Sequence, residues 1–306
     1  MVKAAMATKK QENLTICGLL NDITFHVLRC SAQDLHEQKV DIFPEPEVRG
    51  MLEFEWDQYI EEQRRRLKDE TWAFNKKAIT FCNDVLIGGP TEFAQWAEEN
   101  YNYEDFRPQT LYETLTQEAY VNYLNSQKHD HVYLDITIGD KAAGKLVIEL
   151  FTDIVPKTCE NFKLLCTGEK GSSYHEDEDV EYKLHYENSI FHRIVKNGWI
   201  QGGDIWKGRG NGGESVYGPV FEDENFAVKH NKRGILSMSN NGRHTNGSQF
   251  HITLQPTPWM NTKYVAFGQI IEGTETLKRI EEQETVNERP TTDVKISGCG
   301  VLTYTF

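Results

Sequence analysis

Four Asn-Gly pairs, Asn197-Gly198, Asn211-Gly212, Asn241-Gly242 and Asn246-Gly247, constrain this chain more than any other feature. Asn-Gly favours the left-handed backbone of type I′ turns, whose twist matches that of a β-hairpin. Set between runs of alternating apolar residues, the pairs predict a β-rich domain over residues 131–306. Only two helices fit inside it. One spans Pro156 to Cys166, opened by its proline and stopped near Gly168, with Cys159, Phe162, Leu165 and Cys166 turned inward. The other spans Thr274 to Gln283. Val294 to Ser297 and Val301-Leu302 supply closing strands, so the expected fold is a closed antiparallel β-barrel capped by two helices.

The first 130 residues follow a different pattern. Leu14 to Leu20 reads as a strand, Phe25 to His36 as a helix, and Val40 to Phe43 as a short strand closed by Pro44 and Pro46. Met51 to Lys68 is a second helix, with Leu52, Trp56, Tyr59, Ile60 and Leu67 along one side. Ile79 to Cys82 and Val85 to Ile87 form a hairpin around Asn83-Asp84, and Gly88-Gly89-Pro90 opens a third helix. The order strand-helix-strand-helix-hairpin-helix gives an α/β domain over residues 14–100. Residues 101–130 form a helical connector, in which Leu111, Leu115, Ala119, Tyr123 and Leu124 keep helical spacing and therefore need a surface to dock on.

Element order, with Ile87-Gly88-Gly89 feeding a Phe-containing helix, makes residues 14–100 similar to thioredoxin-like domains, glutaredoxins in particular. That resemblance implies a nucleophilic thiol at the start of the first helix, where the helix dipole lowers a thiol pKa. Here the turn reads Asn21-Asp22-Ile23-Thr24-Phe25, with no cysteine. The expectation is a redox-inactive thioredoxin-like module used for binding or placement, rather than a redox protein.

The C-terminal domain resembles the cyclophilin family of peptidyl-prolyl cis-trans isomerases. The residues that carry this are Val155 to Thr158, Glu160-Asn161-Phe162, Thr167 to Gly171, Phe191-His192-Arg193-Ile194, Gln201-Gly202-Gly203-Asp204, Phe221 to Phe226, Gly234 to Met238, Thr245 to Phe250 and Trp259. An Xaa-Pro bond isomerises unaided in roughly tens to hundreds of seconds. Catalysis needs neither metal nor cofactor; the protein has only to bind the twisted amide better than the planar one. By resemblance Arg193 is the cation that hydrogen-bonds the prolyl nitrogen, Gln201 orients it, and His192 lies beside the pocket. Asn240 and Asn241 would meet the substrate backbone, Gln249 would line the groove, and Trp259 and Met260 would border the proline socket.

Several positions depart from the family pattern. Gly198 stands where an aromatic floor is expected, with Trp199 beside it; His251 replaces a second pocket phenylalanine, and Tyr264 replaces a pocket histidine. Met260 replaces a leucine, and Asn241 and Arg243 replace the small residue and the proline that follow Asn240. Burying a ring is worth roughly 1.5–3 kcal/mol. If the loss falls on the transition state, two missing walls cost about 10²-fold in rate. The expected function is a cyclophilin-like protein of weak or no isomerase activity that binds proline-containing protein segments; the alternative is an active isomerase of protein substrates.

Composition bounds the partners. A net charge of −14 disfavours nucleic acid and anionic membrane. The six cysteines show no Cys-x-x-Cys spacing and no histidine arrangement suited to zinc, which fits a reducing compartment. Met1 to Gln11 lacks the apolar segment of a secretory signal, so a cytoplasmic location is expected, with a large cytoskeletal or ciliary assembly as partner. The run His175 to Asp179 lacks the spaced ligands of a calcium loop and reads as a solvated acidic loop or a contact for a basic partner.

Overall fold

The computed structural model describes residues 11–68, 75–175 and 180–303. The readings of Met1 to Lys10 and of Glu176 to Asp179 lie outside them. The chain divides into two compact units, with the boundary between Gln127 and Lys128.

The first unit is a four-stranded sheet between helices. Its elements are β1 (Leu14–Leu19), α1 (Ile23–Gln38), β2 (Glu47–Met51), α2 (Glu53–Leu67), β3 (Ala78–Cys82), β4 (Val85–Gly88), α3 (Pro90–Tyr101) and α4 (Gln109–Gln127). The strand order is β2-β1-β3-β4, with β2 parallel to β1 and the others antiparallel. Alternation along β1 explains the layering. Leu14 and Ile16 join the core with Phe25, Leu28 and Phe93 of α1 and α3, while Cys17 and Leu19 face Trp56 and Ile60 of α2. Asn83 and Asp84 both take positive φ, 49° and 65°, as a two-residue hairpin turn requires. Asp22 caps α1 by accepting from Thr24 N at 2.9 Å. Helix α4 packs against α1. The segment leading into it is tied down by Arg107, whose two terminal nitrogens donate to the Asp34 carboxylate at 2.6 and 2.7 Å, and by Tyr103, whose hydroxyl donates to Asp34 at 2.8 Å.

One strand stands elsewhere than expected. Val40 to Phe43 is a turn, held by Ile42 N and Phe43 N donating to Lys39 O, with Phe43 buried in the core. The strand is Glu47–Met51, an edge whose side chains are mostly exposed and whose register comes from pairing with Thr15 to Leu19.

The second unit contains β5 (Asp130–Ile138), β6 (Lys141–Leu150), α5 (Pro156–Thr167), β7 (Ser172–His175), β8 (Val180–Lys183), β9 (Arg193–Val195), β10 (Trp199–Gly202), β11 (Ile235–Met238), β12 (Phe250–Thr253), β13 (Ala266–Glu272), α6 (Thr274–Glu281), β14 (Thr285–Val286), β15 (Arg289–Pro290) and β16 (Val294–Val301). A turn of 3₁₀ helix covers Pro258–Met260. Eight strands form one antiparallel sheet in the order β16-β5-β6-β13-β11-β12-β10-β9. Glu224 caps α5, its carboxylate accepting from Lys157 N and Thr158 N at 3.1 and 2.9 Å, and Gly168 ends the helix at φ 70°. Phe162, Phe250, Phe267, Tyr186 and Phe191 fill the interior with rings 5.0–5.8 Å apart.

The expected closed barrel is not what forms. The sheet is an open, strongly curled half-barrel whose end strands β16 and β9 are not paired as a ladder. Register shifts at Ile136/Thr137, Leu236/Ser237, Ile270/Glu272 and Ile296/Gly298 supply the curl. Across the gap stands an isolated bridge, Ile190 to Lys295, because the chain turns at Asn188 (φ 70°) before β9 begins.

Candidate functional site

Strand register places the key side chains in one row. Arg193 of β9 stands opposite Gln201 of β10, Gln201 opposite His251 of β12, and His251 opposite Ser237 of β11. Residues directly opposite one another point to the same face. Phe250 is committed to the interior aromatic cluster, so its neighbour His251 falls on the other face of β12, the groove side.

Arg193 is half exposed and already engaged. Its Nε donates to Glu288 Oε2 at 2.7 Å, and its guanidinium lies 5.2 Å from the centre of the Trp199 ring. Glu288 sits in the β14–β15 turn at φ 66°, and its carbonyl accepts from Ile194 N at 2.7 Å, which docks the turn on β9. Gln201 bonds with Gln249 rather than with the arginine, Nε2 donating to Gln249 Oε1 at 3.0 Å; Gln249 Nε2 in turn donates to Gly212 O at 2.8 Å. Asp204 shapes the loop that follows, its carboxylate accepting from the backbone of Trp206, Lys207, Gly210 and Gly212 at 2.8–3.3 Å. Burial alone would raise that carboxyl, but the four donors hold it below its ordinary value. His192 is buried beneath Gly210 rather than in the row, and burial lowers its pKa.

The socket end is where this chain differs. His251 is 2% exposed, and burial, with neighbouring His230, pushes its pKa down to about 3. Its Nδ1 is 3.3 Å from Ser239 Oγ, while its Nε2 is buried without a hydrogen-bond partner. His230 stacks parallel to it at 6.0 Å and is held by Ser237 Oγ at 2.6 Å and Asn261 Oδ1 at 3.0 Å. Tyr264 meets His251 edge to face at 5.2 Å. Met260 is buried and Trp259 is 54% exposed at the rim. Gly198 brings no side chain, and a Cβ there would lie 3.1 Å from Val195 Cγ1.

At the other end Gln201, Asn240, Asn241 and Gln249 line a cavity of about 670 Å³. Asn240 Nδ2 donates to Lys263 O at 3.1 Å, and Asn241 N donates to Thr245 Oγ1 at 2.9 Å. Among the described residues no group of three or more His, Cys, Asp or Glu side chains is placed to hold a metal. The arrangement offers a cation over a groove with amide donors and acceptors, which can hold an extended backbone and stabilise a pyramidal nitrogen. Sequence reasoning missed the partners of the two pivotal groups, Glu288 on Arg193 and His230 with Ser239 on His251, and no local pattern marks either.

Comparison with known proteins agrees with this geometry. The family model described as "Cyclophilin type peptidyl-prolyl cis-trans isomerase/CLD" matches residues 133–301. A human protein named "Probable inactive peptidyl-prolyl cis-trans isomerase-like 6" is 48% identical over 285 residues, covering 93% of this chain and 90% of its own length. Its mouse namesake is 49% identical over 289 residues, covering 94% and 91%. The crystal structure of a Cryptosporidium parvum cyclophilin type peptidyl-prolyl cis-trans isomerase superposes with a TM-score of 0.50 at 35% identity, over 58% of this chain and 99% of that one. With its arginine row, its amide-lined groove and these relatives, the chain belongs to the cyclophilin-type peptidyl-prolyl cis-trans isomerase family.

Proposed function

We propose that the protein binds proline-containing protein segments with weak or no isomerase activity, and serves as a component of an assembly. The observation that carries this is His251: the wall opposite Gln201 is a buried, neutral imidazole with an unpaired nitrogen where an apolar ring would grip proline. The names of the human and mouse relatives point the same way. A second reading, a slow but real isomerase, is favoured by Arg193 and Gln201 standing in register. NMR exchange on an Ala-Pro peptide at high protein concentration separates the two, comparing the wild type with Arg193→Ala. A rate above background that vanishes with Arg193 establishes the second reading. Peptide binding with no rate in either protein establishes the first.

The N-terminal unit is, in this reading, a redox-inactive thioredoxin-like module. Its strand order and the Asp22 cap at the start of α1, where a nucleophilic thiol would be needed, support this. Burial raises the pKa of Cys17 and of Cys30, which makes both poor thiolates at neutral pH. A standard thiol–disulfide exchange assay showing turnover would remove it. We place the protein in the cytoplasm, on a large cytoskeletal or ciliary assembly. The free cysteines fit a reducing compartment. A tagged protein that stays diffuse or enters the secretory route would refute the placement.

A further inference from the structure

The four Asn-Gly pairs share one chemistry besides their turns. The backbone nitrogen of the glycine can attack the side-chain amide carbon of the asparagine, provided that the nitrogen can shed its proton and the two groups can swing together. The fold withholds these conditions from three of the pairs. Asn246 and Gly247 are buried, and Asn246 Nδ2 donates to Asp223 Oδ1 at 2.9 Å. Gly198 is buried, and its N–H donates to Val195 O at 2.9 Å in a turn that holds Asn197 at φ 57°. Asn211 is exposed, but Gly212 N donates to the Asp204 carboxylate at 3.2 Å, and a negative charge there opposes loss of the proton. Asn241-Gly242 differs on each count. Both residues are exposed. Asn241 is held through its backbone, N donating to Thr245 Oγ1 at 2.9 Å, while its side-chain amide has no hydrogen-bond partner among the described residues. Gly242 N meets a neutral acceptor, Asn240 Oδ1, at a long 3.3 Å. Gly242 stands at φ 129°, and no heavy atom lies within 4 Å of where a Cβ would be, so its peptide has room to rotate.

We propose that Asn241 is a site of spontaneous deamidation in the folded protein, converted to aspartate and isoaspartate with water as the only co-reactant. Gly242 N bonds to Asn241 Cγ and closes a cyclic imide. The bond from Cγ to Nδ2 breaks, and Nδ2 leaves as ammonia, taking up the proton that the Gly242 nitrogen gave up. Water then opens the imide at either carbonyl. Opening at the main-chain carbonyl gives isoaspartate, whose main chain runs through Cβ and is one carbon longer; opening at the side-chain carbonyl gives aspartate. Asn241 lines the cavity beside Gln201, Asn240 and Gln249, so either product places a carboxylate there. The isoaspartyl product also lengthens the turn that Thr245 ties together, its Oγ1 accepting from Asn241 N and donating to Gly242 O at 2.8 Å. This inference does not depend on whether the groove isomerises or binds proline.

The test is peptide mapping by mass spectrometry of the full chain held at mildly alkaline pH, once folded and once in urea, with isoaspartate counted by enzymatic methyl transfer. In urea all four pairs should react at comparable rates. In the folded chain Asn241 should stay within about threefold of its rate in urea, while Asn197, Asn211 and Asn246 slow by about tenfold or more, because each must first open locally. Asn241→Gln, whose longer side chain would have to close a larger and slower-forming ring, should remove most of the isoaspartate formed by the folded chain. Slowing of Asn241 in the folded chain to the rate of buried Asn246 overturns the inference. So does a folded-state rate at Asn197 or Asn211 equal to that at Asn241, or an isoaspartate count that Asn241→Gln leaves unchanged.

Discussion

Replacing His251 with phenylalanine should remove a specific part of the protein's acid sensitivity. In the folded protein the imidazole is 2% exposed and titrates at about 3, against 6.5 for a free histidine. A folded pKa below the unfolded one means that the unfolded chain binds the proton first. Stability is therefore full above the unfolded pKa and falls as pH drops from about 6.5 toward 3. Between about pH 7 and about pH 5 that single group costs about 2 kcal/mol, taking ~1.36 kcal/mol per unit. Phenylalanine also removes the unpaired Nε2, which is worth about 1–3 kcal/mol of relief, less the 3.3 Å contact with Ser239 that is lost. Calorimetry of the intact chain, following the transition of the C-terminal unit, should then show His251→Phe melting higher than wild type at neutral pH. The gap should widen by about 4–8 °C on going to about pH 5, at ~2–4 °C per kcal/mol for a unit of this size. His192 and His230 are also lowered by burial and steepen the acid limb of both proteins, so only the difference between the two curves reports His251. A gap that stays constant over this range would refute the account of His251 as a buried neutral base.

The other expectations can be checked alongside. Glu288→Gln should raise any Arg193-dependent isomerisation rate, but by no more than about fivefold, since an exposed ion pair is worth roughly 0.2–1 kcal/mol; both partners here are 43–47% exposed. NMR exchange on the Ala-Pro peptide measures it, and a larger jump would mean that the pair is a true lock. Gly198→Phe should tighten peptide binding, at a stability cost of about 1–3 kcal/mol from crowding against Val195. Unchanged affinity in the same NMR titration would show that this position is not the missing wall. Asp34→Asn should destabilise the N-terminal unit by about 2 kcal/mol in urea melts, because it weakens the paired bonds from Arg107. Those bonds hold the Asp34 pKa below 3.8, so its contribution is present above that value and lost as pH falls below it. The two melts should converge in acid, and a constant offset would refute the pairing.

What the sequence disclosed and what it hid follow from how local each signal is. The β3–β4 hairpin, the helices α1, α3, α5 and α6, and the motifs that carry Arg193, Gln201 and Gln249 are written in short segments: a turn pair, a Pro start, a Gly stop, a motif. The edge strand β2 was hidden because its residues are exposed and show no alternation; only parallel pairing with β1 makes Glu47–Met51 a strand. Val40 to Phe43 looked more like one because it is apolar, yet its apolar ring serves the core from a turn. Whether the sheet closes is decided by four register shifts and by where β9 starts, and neither has a residue signature. The Arg193–Glu288 contact joins residues 95 positions apart, through a turn with positive φ at both Asn287 and Glu288. A glutamate in such a turn reads as a surface residue until the turn is seen docked on β9.

These magnitudes locate the weakness of the site. If Arg193 plays the role proposed for it, it would act where the nitrogen pyramidalises, in the transition state alone, and its pairing with Glu288 would hold back no more than about fivefold. The socket walls touch the proline ring in the cis, trans and twisted forms alike. An interaction made equally in ground and transition states sets binding, not the rate of the bound complex. The loss at Gly198 and the polar substitution at His251 should therefore appear mainly as a raised KM, with kcat held closer to that of a full isomerase. Weaker capture of the proline ring lowers kcat/KM, which is how a groove of this kind would come to have weak or no isomerase activity while a segment's backbone can still be held.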